Sequence, residues 1–304
     1  MCPVESSEAS AGKISYRIAI GAVLVMFLWA VCFPLINVGL RNSPPMAFAG
    51  LRASLSGLVL IAVAQWLKRP AIPDRSAWGG LAVVGFTATS LGFYGMFYGG
   101  GRVSPGLATV IANTQPLIAS ALAWVFLQER LSTFQRWGLV AGFGGIVLIG
   151  APNLSGADSQ IQGIAFILVA AIGIAVSNVM LKSLAGRVDV LRAMGWQLLI
   201  GALPLAILAF AIEDVSAVNW STGFIINLLA LSVLGTSMAF ALWFALLDRA
   251  TLSQLNAYTF LTPIFGLFMG VIFFAESLHA LELAGIGLSL LGIYAVNRRS
   301  RVKS

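Results

Sequence analysis

Two stretches of the chain carry the same rare residues in the same order. QPLIASALAWVFLQERL (Gln115–Leu131) and TPIFGLFMGVIFFAESL (Thr262–Leu278) each place a proline early and a glutamate late in an otherwise apolar run, 147 positions apart. What such residues can do is non-covalent. A proline inside a helix has no N–H and clashes with the carbonyl four residues back. Read as mid-helix residues, Pro116 and Pro263 leave the carbonyls of Ala112 and Thr259 without partners. In an apolar medium such a carbonyl must find another donor or line a wet cavity. The two prolines are therefore candidate hinges, with static kinks as the plainer reading.

Covalent chemistry has little to work with. The chain has one histidine, His279, and two cysteines, Cys2 and Cys32. An intramembrane serine protease needs a buried Ser–His pair and an aspartyl protease needs two aspartates within helices; neither pattern is present. Walker motifs and metal-ligand spacings are also missing. The chain reads as a non-enzyme that needs no cofactor.

Thr109, Asn113, Pro116, Ser120 and Trp124 recur at spacings of three and four and share one helical face. The matching face around Pro263 holds Asn256, Phe260 and Leu267. Other apolar runs offer Trp29, Phe33 and Asn37; Ser90, Phe93, Tyr94, Phe97 and Tyr98; Ser177 and Asn178; Trp196 and Gln197; and Ser237, Phe240, Trp243 and Phe244. Polar groups facing lipid are costly, so these side chains are expected to turn inward. They describe an aromatic cavity with neutral hydrogen-bonding groups. Bundle packing is the alternative for any single aromatic residue.

Charge sharpens that picture. A charge at a helix centre costs ~2.5–3.5 kcal/mol on insertion scales and usually serves function. The central thirds of the apolar runs contain no Asp, Glu, Lys or Arg. The cavity suits a neutral or zwitterionic amphipathic solute. Arg52 comes nearest to an exception. Either it snorkels to the interface, or it anchors a carboxylate or serves a gate. Lys182 is expected to snorkel, and Glu129 and Glu276 to hold loops at helix ends.

The elements that position these residues follow from composition. The chain is 59% hydrophobic and 10% charged over 304 residues, whereas soluble domains carry roughly 25% charged residues. Ten apolar runs (17–39, 46–67, 77–99, 104–127, 134–151, 162–184, 191–212, 223–247, 253–274 and 280–297) approach the length a helix needs to cross a ~30 Å core. Strand alternation is absent, which argues against a β-barrel. The expected fold is an all-α integral membrane protein with ten transmembrane helices.

The formal charge of +7 suggests nucleic acid only until the charges are placed. With the N-terminus inside and the helices alternating, fifteen Lys and Arg fall on the inner side. Arg41 and Arg102 fall outside, and Arg52 lies within a helix. This asymmetry is the positive-inside rule and places both termini in the cytoplasm. The basic tail contacts lipid headgroups, and no nucleic-acid partner is expected.

The offset of 147 extends over some sixty residues. It pairs Thr89 with Thr236, Ser90 with Ser237, Phe93 with Phe240, Phe97 with Phe244, Arg102 with Arg249, Gly138 with Gly285 and Gly145 with Gly292. Residues 1–15 form an N-terminal tail, 16–151 and 162–297 two five-helix repeats, and 298–304 a basic tail. Five is odd, so the second copy enters the membrane from the opposite side. A 5+5 inverted repeat suits alternating access around a midplane site. Glycine-rich helices five and ten read as supporting staves packed together outside the pathway.

These features resemble the drug/metabolite transporter superfamily, in its EamA branch. The resemblance rests on ten helices, the paired P…E-x-L ends of helices four and nine, glycine-rich helices five and ten, and the LRASLSG stretch (Leu51–Gly57). Within that branch the chain is most similar to YddG-type exporters of aromatic and other amino acids. The resemblance implies a secondary carrier that exports small metabolites across a bacterial inner membrane and functions as a monomer. Small multidrug relatives use a glutamate in their first helix, and sugar-phosphate relatives tend to carry Lys or Arg in their last helices. Neither feature is found here. Export of drugs or of another metabolite class is the alternative.

Overall fold

The computed structural model describes residues 15–70, 74–100, 102, 111–129, 131–150, 160–274 and 280–297; the side chains at 33, 37, 100, 150, 160, 267 and 270–274 are outside that description. All regular secondary structure among these residues is helical. The first half contains α1 (Tyr16–Leu40), α2 (Pro45–Trp66), α3 (Trp78–Gly100), α4 (Gln115–Phe126) and α5 (Thr133–Gly150). The second contains α6 (Gln160–Leu184), α7 (Val190–Ile212), α8 (Thr222–Leu247), α9a (Leu252–Tyr258), α9b (Leu261–Phe274) and α10 (Ala280–Asn297). Each of the ten apolar runs thus holds a helix, and seven described helices are long and apolar enough to cross a membrane.

The packing shows how the halves relate. α2 lies along α7, α5 along α10, and α4 meets α9a. α3 packs on α6 and α7, as α8 packs on α1 and α2. Likewise α4 packs on α6, and α9b on α1. Exchanging the halves reproduces the pattern, as a pseudo-twofold axis requires.

The α5–α10 seam depends on glycine. A Cβ on Gly138 would lie 3.0 Å from the Gly292 carbonyl oxygen, and one on Gly285 would lie 2.6 Å from that of Gly145. Without side chains the two backbones approach directly, as small residues allow in membrane bundles.

The repeat extends to irregular backbone. α3 is π-helical over Gly85–Leu91, and α8 is π-helical over Leu231–Met238. Shifting the first by 147 gives 232–238. Widened turns of this kind are rare and frequent at functional sites. Their matched hydroxyls fasten neighbouring helices. Ser90 Oγ donates to the Gly201 carbonyl at 2.8 Å, and Ser237 Oγ donates to the Ser56 carbonyl at 3.0 Å.

The ninth helix departs from expectation. It is interrupted rather than kinked. Thr251 and Gln254 start α9a with a reciprocal capping box, which satisfies two orphan donors. At its other end Thr259 N–H bonds to the Asn256 carbonyl at 3.1 Å, and Phe260 N–H to that of Ala257 at 3.3 Å. These i→i+3 bonds tighten and end the turn. Pro263 is the third residue of α9b, where an N–H has no intrahelical partner. Pro116 is the second described residue of α4, after a turn closed by Thr114 N–H on the Ile111 carbonyl at 3.0 Å. The prolines therefore begin helical segments and do not sit mid-helix. The Thr259 carbonyl is also not free, because it accepts from Thr262 N–H at 3.0 Å.

Candidate functional site

The broken helices meet where the prolines start them. Gln115 Nε2 donates to Asn256 Oδ1 at 3.4 Å, between α4 and α9a. Asn256 is fully buried, and its own Nδ2 has no partner there. Asn113 and Pro116 are also buried at this junction. Ser120 lies one turn on, buried with an unpartnered hydroxyl. Trp124, placed on the same face by spacing, is instead 59% exposed on the outside of the bundle. The described α4 is short, and its far turn faces away from the partner helix. Thr109 and the Asn37 side chain lie outside the described residues.

A second group gathers around Trp29. Its ring packs 5.4 Å from Trp243 and 6.0 Å, edge-on, from Phe240. Trp243 Nε1 donates to Asn178 Oδ1 at 3.0 Å. Three helices, α1, α6 and α8, thus contribute to one aromatic and amide surface with no charge in it. Buried indole N–H groups usually find such a partner. Ser177 on the adjoining turn bonds its own helix at the Ile174 carbonyl.

A third group contains a buried cation, Arg52; Arg192 at the start of α7 is the other buried arginine among the described residues. Arg52 is 5% exposed, so snorkelling does not describe it: α1, α3 and α8 cover its side chain. Its Nε donates to Thr236 Oγ1 at 2.8 Å, and Nη2 contacts Cys32 Sγ at 3.5 Å. The guanidinium lies 4.9 Å over the Phe93 ring, a cation–π contact, and Phe93 in turn stacks toward Phe97 at 6.1 Å. No described carboxylate forms an ion pair with Arg52; the described ion pair is Arg69–Asp189 at 3.7 Å.

The remaining candidates are more dispersed. Tyr94 and Tyr98 pack on each other and on Phe166 near one end of the bundle. Trp196 meets Trp78 edge to face, with ring centroids 5.2 Å apart. Gln197 is fully buried and accepts from Thr89 Oγ1 at 2.9 Å. Phe244 and Phe260 are fully buried in packed core, Phe260 seated where Gly142 leaves space on α5.

Charged groups at the two ends act on helix termini. Glu129 accepts from the Leu252 and Ser253 N–H groups at 3.0 and 3.2 Å. Its carboxylate faces the positive end of the α9a dipole, a favourable placement. Lys182 Nζ donates to the Leu247 and Ala250 carbonyls and so caps the end of α8. At the other end Glu213 accepts from Met46 N–H and Ala47 N–H, both at 2.9 Å, and from Tyr98 Oη at 3.2 Å. Glu276 lies outside the described residues. Glu213 was not a candidate from spacing; its place directly after an apolar run, like that of Glu129, is the signal that could have found it.

Comparison with known proteins agrees with this geometry. The model of the EamA-like transporter family matches residues 17–151 and again 161–298. The "Uncharacterized transporter YvbV" of Bacillus subtilis is 32% identical, over 94% of this chain and 93% of its own length. The "Probable amino-acid metabolite efflux pump" of Salmonella typhimurium is 27% identical, over 90% and 92% respectively. A solved crystal structure superimposes with a TM-score of 0.80 at 18% identity, over 92% of this chain and 98% of its own, and so shares the fold. With both halves matched and a relative above 30% identity along nearly the whole length, the chain is a transporter and belongs to the EamA-like family.

Proposed function

We propose that the chain exports small neutral or zwitterionic amphipathic metabolites, amino acids foremost, across a bacterial inner membrane with both termini in the cytoplasm. The observation that carries this reading is the uncharged surface of Trp29, Phe240, Trp243 and Asn178, contributed by helices of both halves. Its half-buried members, Trp29 and Phe240, offer apolar area to an amphipathic solute, and the buried Trp243–Asn178 pair supports them. The printed name of the Salmonella typhimurium relative, an amino-acid metabolite efflux pump, favours amino acids and the outward direction.

Transport runs by alternating access. The interrupted α9 and its counterpart α4 meet at Gln115 and Asn256, and Pro116 and Pro263 mark where each helix changes direction. A break beside a midplane site lets one segment move while the other stays docked. The described helix interiors carry no carboxylate or histidine at mid-depth, so the substrate gradient drives the flux.

In proteoliposomes the protein is expected to move labelled phenylalanine, threonine or methionine saturably. An imposed pH gradient is expected to leave the final distribution unchanged. Flux of a phosphorylated sugar with none across a broad amino-acid panel would overturn the substrate class. Accumulation against the solute gradient under a pH gradient alone would overturn the uncoupled mechanism.

A further inference from the structure

We propose that Arg52 binds the carboxylate of the transported solute; this rests on the amino-acid reading above. The argument comes from the repeat, which supplies an internal control. Thr89 and Thr236 are repeat mates in the two π-helical segments. Each is bonded by one side chain from the neighbouring helix. Thr236 accepts from Arg52 of α2, and Thr89 donates to Gln197 of α7. The residues four positions on also correspond. The Ser56 carbonyl accepts from Ser237, and the Gly201 carbonyl accepts from Ser90. Arg52 and Gln197 therefore occupy the same place in the two halves.

A neutral amide holds the threonine in α7 through its oxygen, with its buried Nε2 left unpartnered. The fold does not require a cation there to hold the threonine. Burying a guanidinium without a carboxylate is unfavourable, and at this place the halves differ in charge. Arg192 of α7 is also buried, but it donates to the Pro70 carbonyl and Gln65 Oε1, whereas the described contacts of Arg52 are a hydroxyl, a thiol and a ring face.

The surroundings say what it could hold. A guanidinium carries five N–H donors, and the described contacts to Thr236 and Cys32 use two. Those left match a carboxylate in fork geometry, which Lys does not reproduce. The Phe93 face lies against the guanidinium, and Phe97 lies beyond it. A solute with its carboxylate on Arg52 would lay an apolar side chain along these rings. The chemical class is an organic acid with a free carboxylate and an apolar side chain, as in phenylalanine.

The test uses Arg52→Gln, which copies the second half and is expected to fold, with Arg52→Lys beside it. Flux into proteoliposomes is measured for phenylalanine and for phenylalaninamide, which lacks the carboxylate. Losing a charge-assisted bond predicts a rise of about 10- to 100-fold in the half-saturating phenylalanine concentration for Arg52→Gln. Phenylalaninamide flux is expected to stay as in the wild type, and Arg52→Lys to fall between. Equal handling of phenylalanine by wild type and Arg52→Gln would overturn the proposal, as would equal loss of both solutes in a folded variant. Thermal stabilisation of purified protein by phenylacetate provides an arm independent of amino-acid flux. Stabilisation of wild type but not of Arg52→Gln supports the carboxylate site even if no amino acid is moved, in which case the substrate reading alone fails. No stabilisation of wild type together with no amino-acid flux overturns both.

Discussion

Phe260→Ala is expected to lower stability by about 3–5 kcal/mol, the range for emptying a fully buried aromatic site. Phe260 lies in the break in α9, and its ring occupies the space that Gly142 leaves on α5. The pair ties the interruption to the α5–α10 seam. Gly142→Ala is expected to be destabilising in its own right, because its Cβ would enter the ring. Overpacking of this kind costs about 1–3 kcal/mol. Combining Gly142→Ala with Phe260→Leu should recover part of that loss, since the shorter side chain vacates the contested space. Thermal unfolding of the purified variants in detergent checks the cycle. A neutral Gly142→Ala, or strict additivity in the double variant, would show that the two residues are not in contact.

Pro263→Ala should act on transport more than on stability. In the described conformation residue 263 is in the first turn of α9b, so the restored N–H gains no bond there. The gain comes only where α9 closes into one helix, and there alanine is favoured over proline by about 3 kcal/mol. A bias of that size shifts a two-state population by roughly 100-fold. Flux is expected to fall accordingly while the folded yield stays near wild type. Asn256→Cys, fully buried at this junction, reports the shift when the native cysteines are replaced. Its labelling from one membrane face should rise in the Pro263→Ala background and fall from the other. Unchanged flux and unchanged labelling would make Pro263 a static element of the fold.

The sequence carries the helices and the duplication plainly, because both rest on features that survive in one dimension. Apolar length marks each span. Pro116 with Pro263 and Thr89–Ser90 with Thr236–Ser237 are rare enough in such runs to hold register. The break in α9 was less accessible. A proline states that a backbone bond is missing, but not whether the helix bends through the gap or ends and restarts. That outcome depends on the Thr251–Gln254 capping box and on a glycine more than a hundred residues earlier.

Arg52 shows the same limit. Its distance from the end of α2 suits snorkelling equally well, and only the arrival of Cys32, Phe93 and Thr236 from three other helices encloses it. The π-helical segments have no residue signature, and only the matched Thr–Ser pairs hint at them. Of the candidate lining residues, Trp29, Trp243 and Asn178 come together in one cluster. Trp124 does not, because helical spacing defines a face but not the direction in which that face turns.

Alternating access of an amino acid is most directly tested by counterflow. Proteoliposomes are loaded with unlabelled phenylalanine at high concentration and diluted into trace labelled phenylalanine. A carrier that returns fastest when loaded predicts a transient overshoot of label inside, well above the level in unloaded vesicles. Label that only equilibrates, at the same rate with and without internal phenylalanine, would contradict the account.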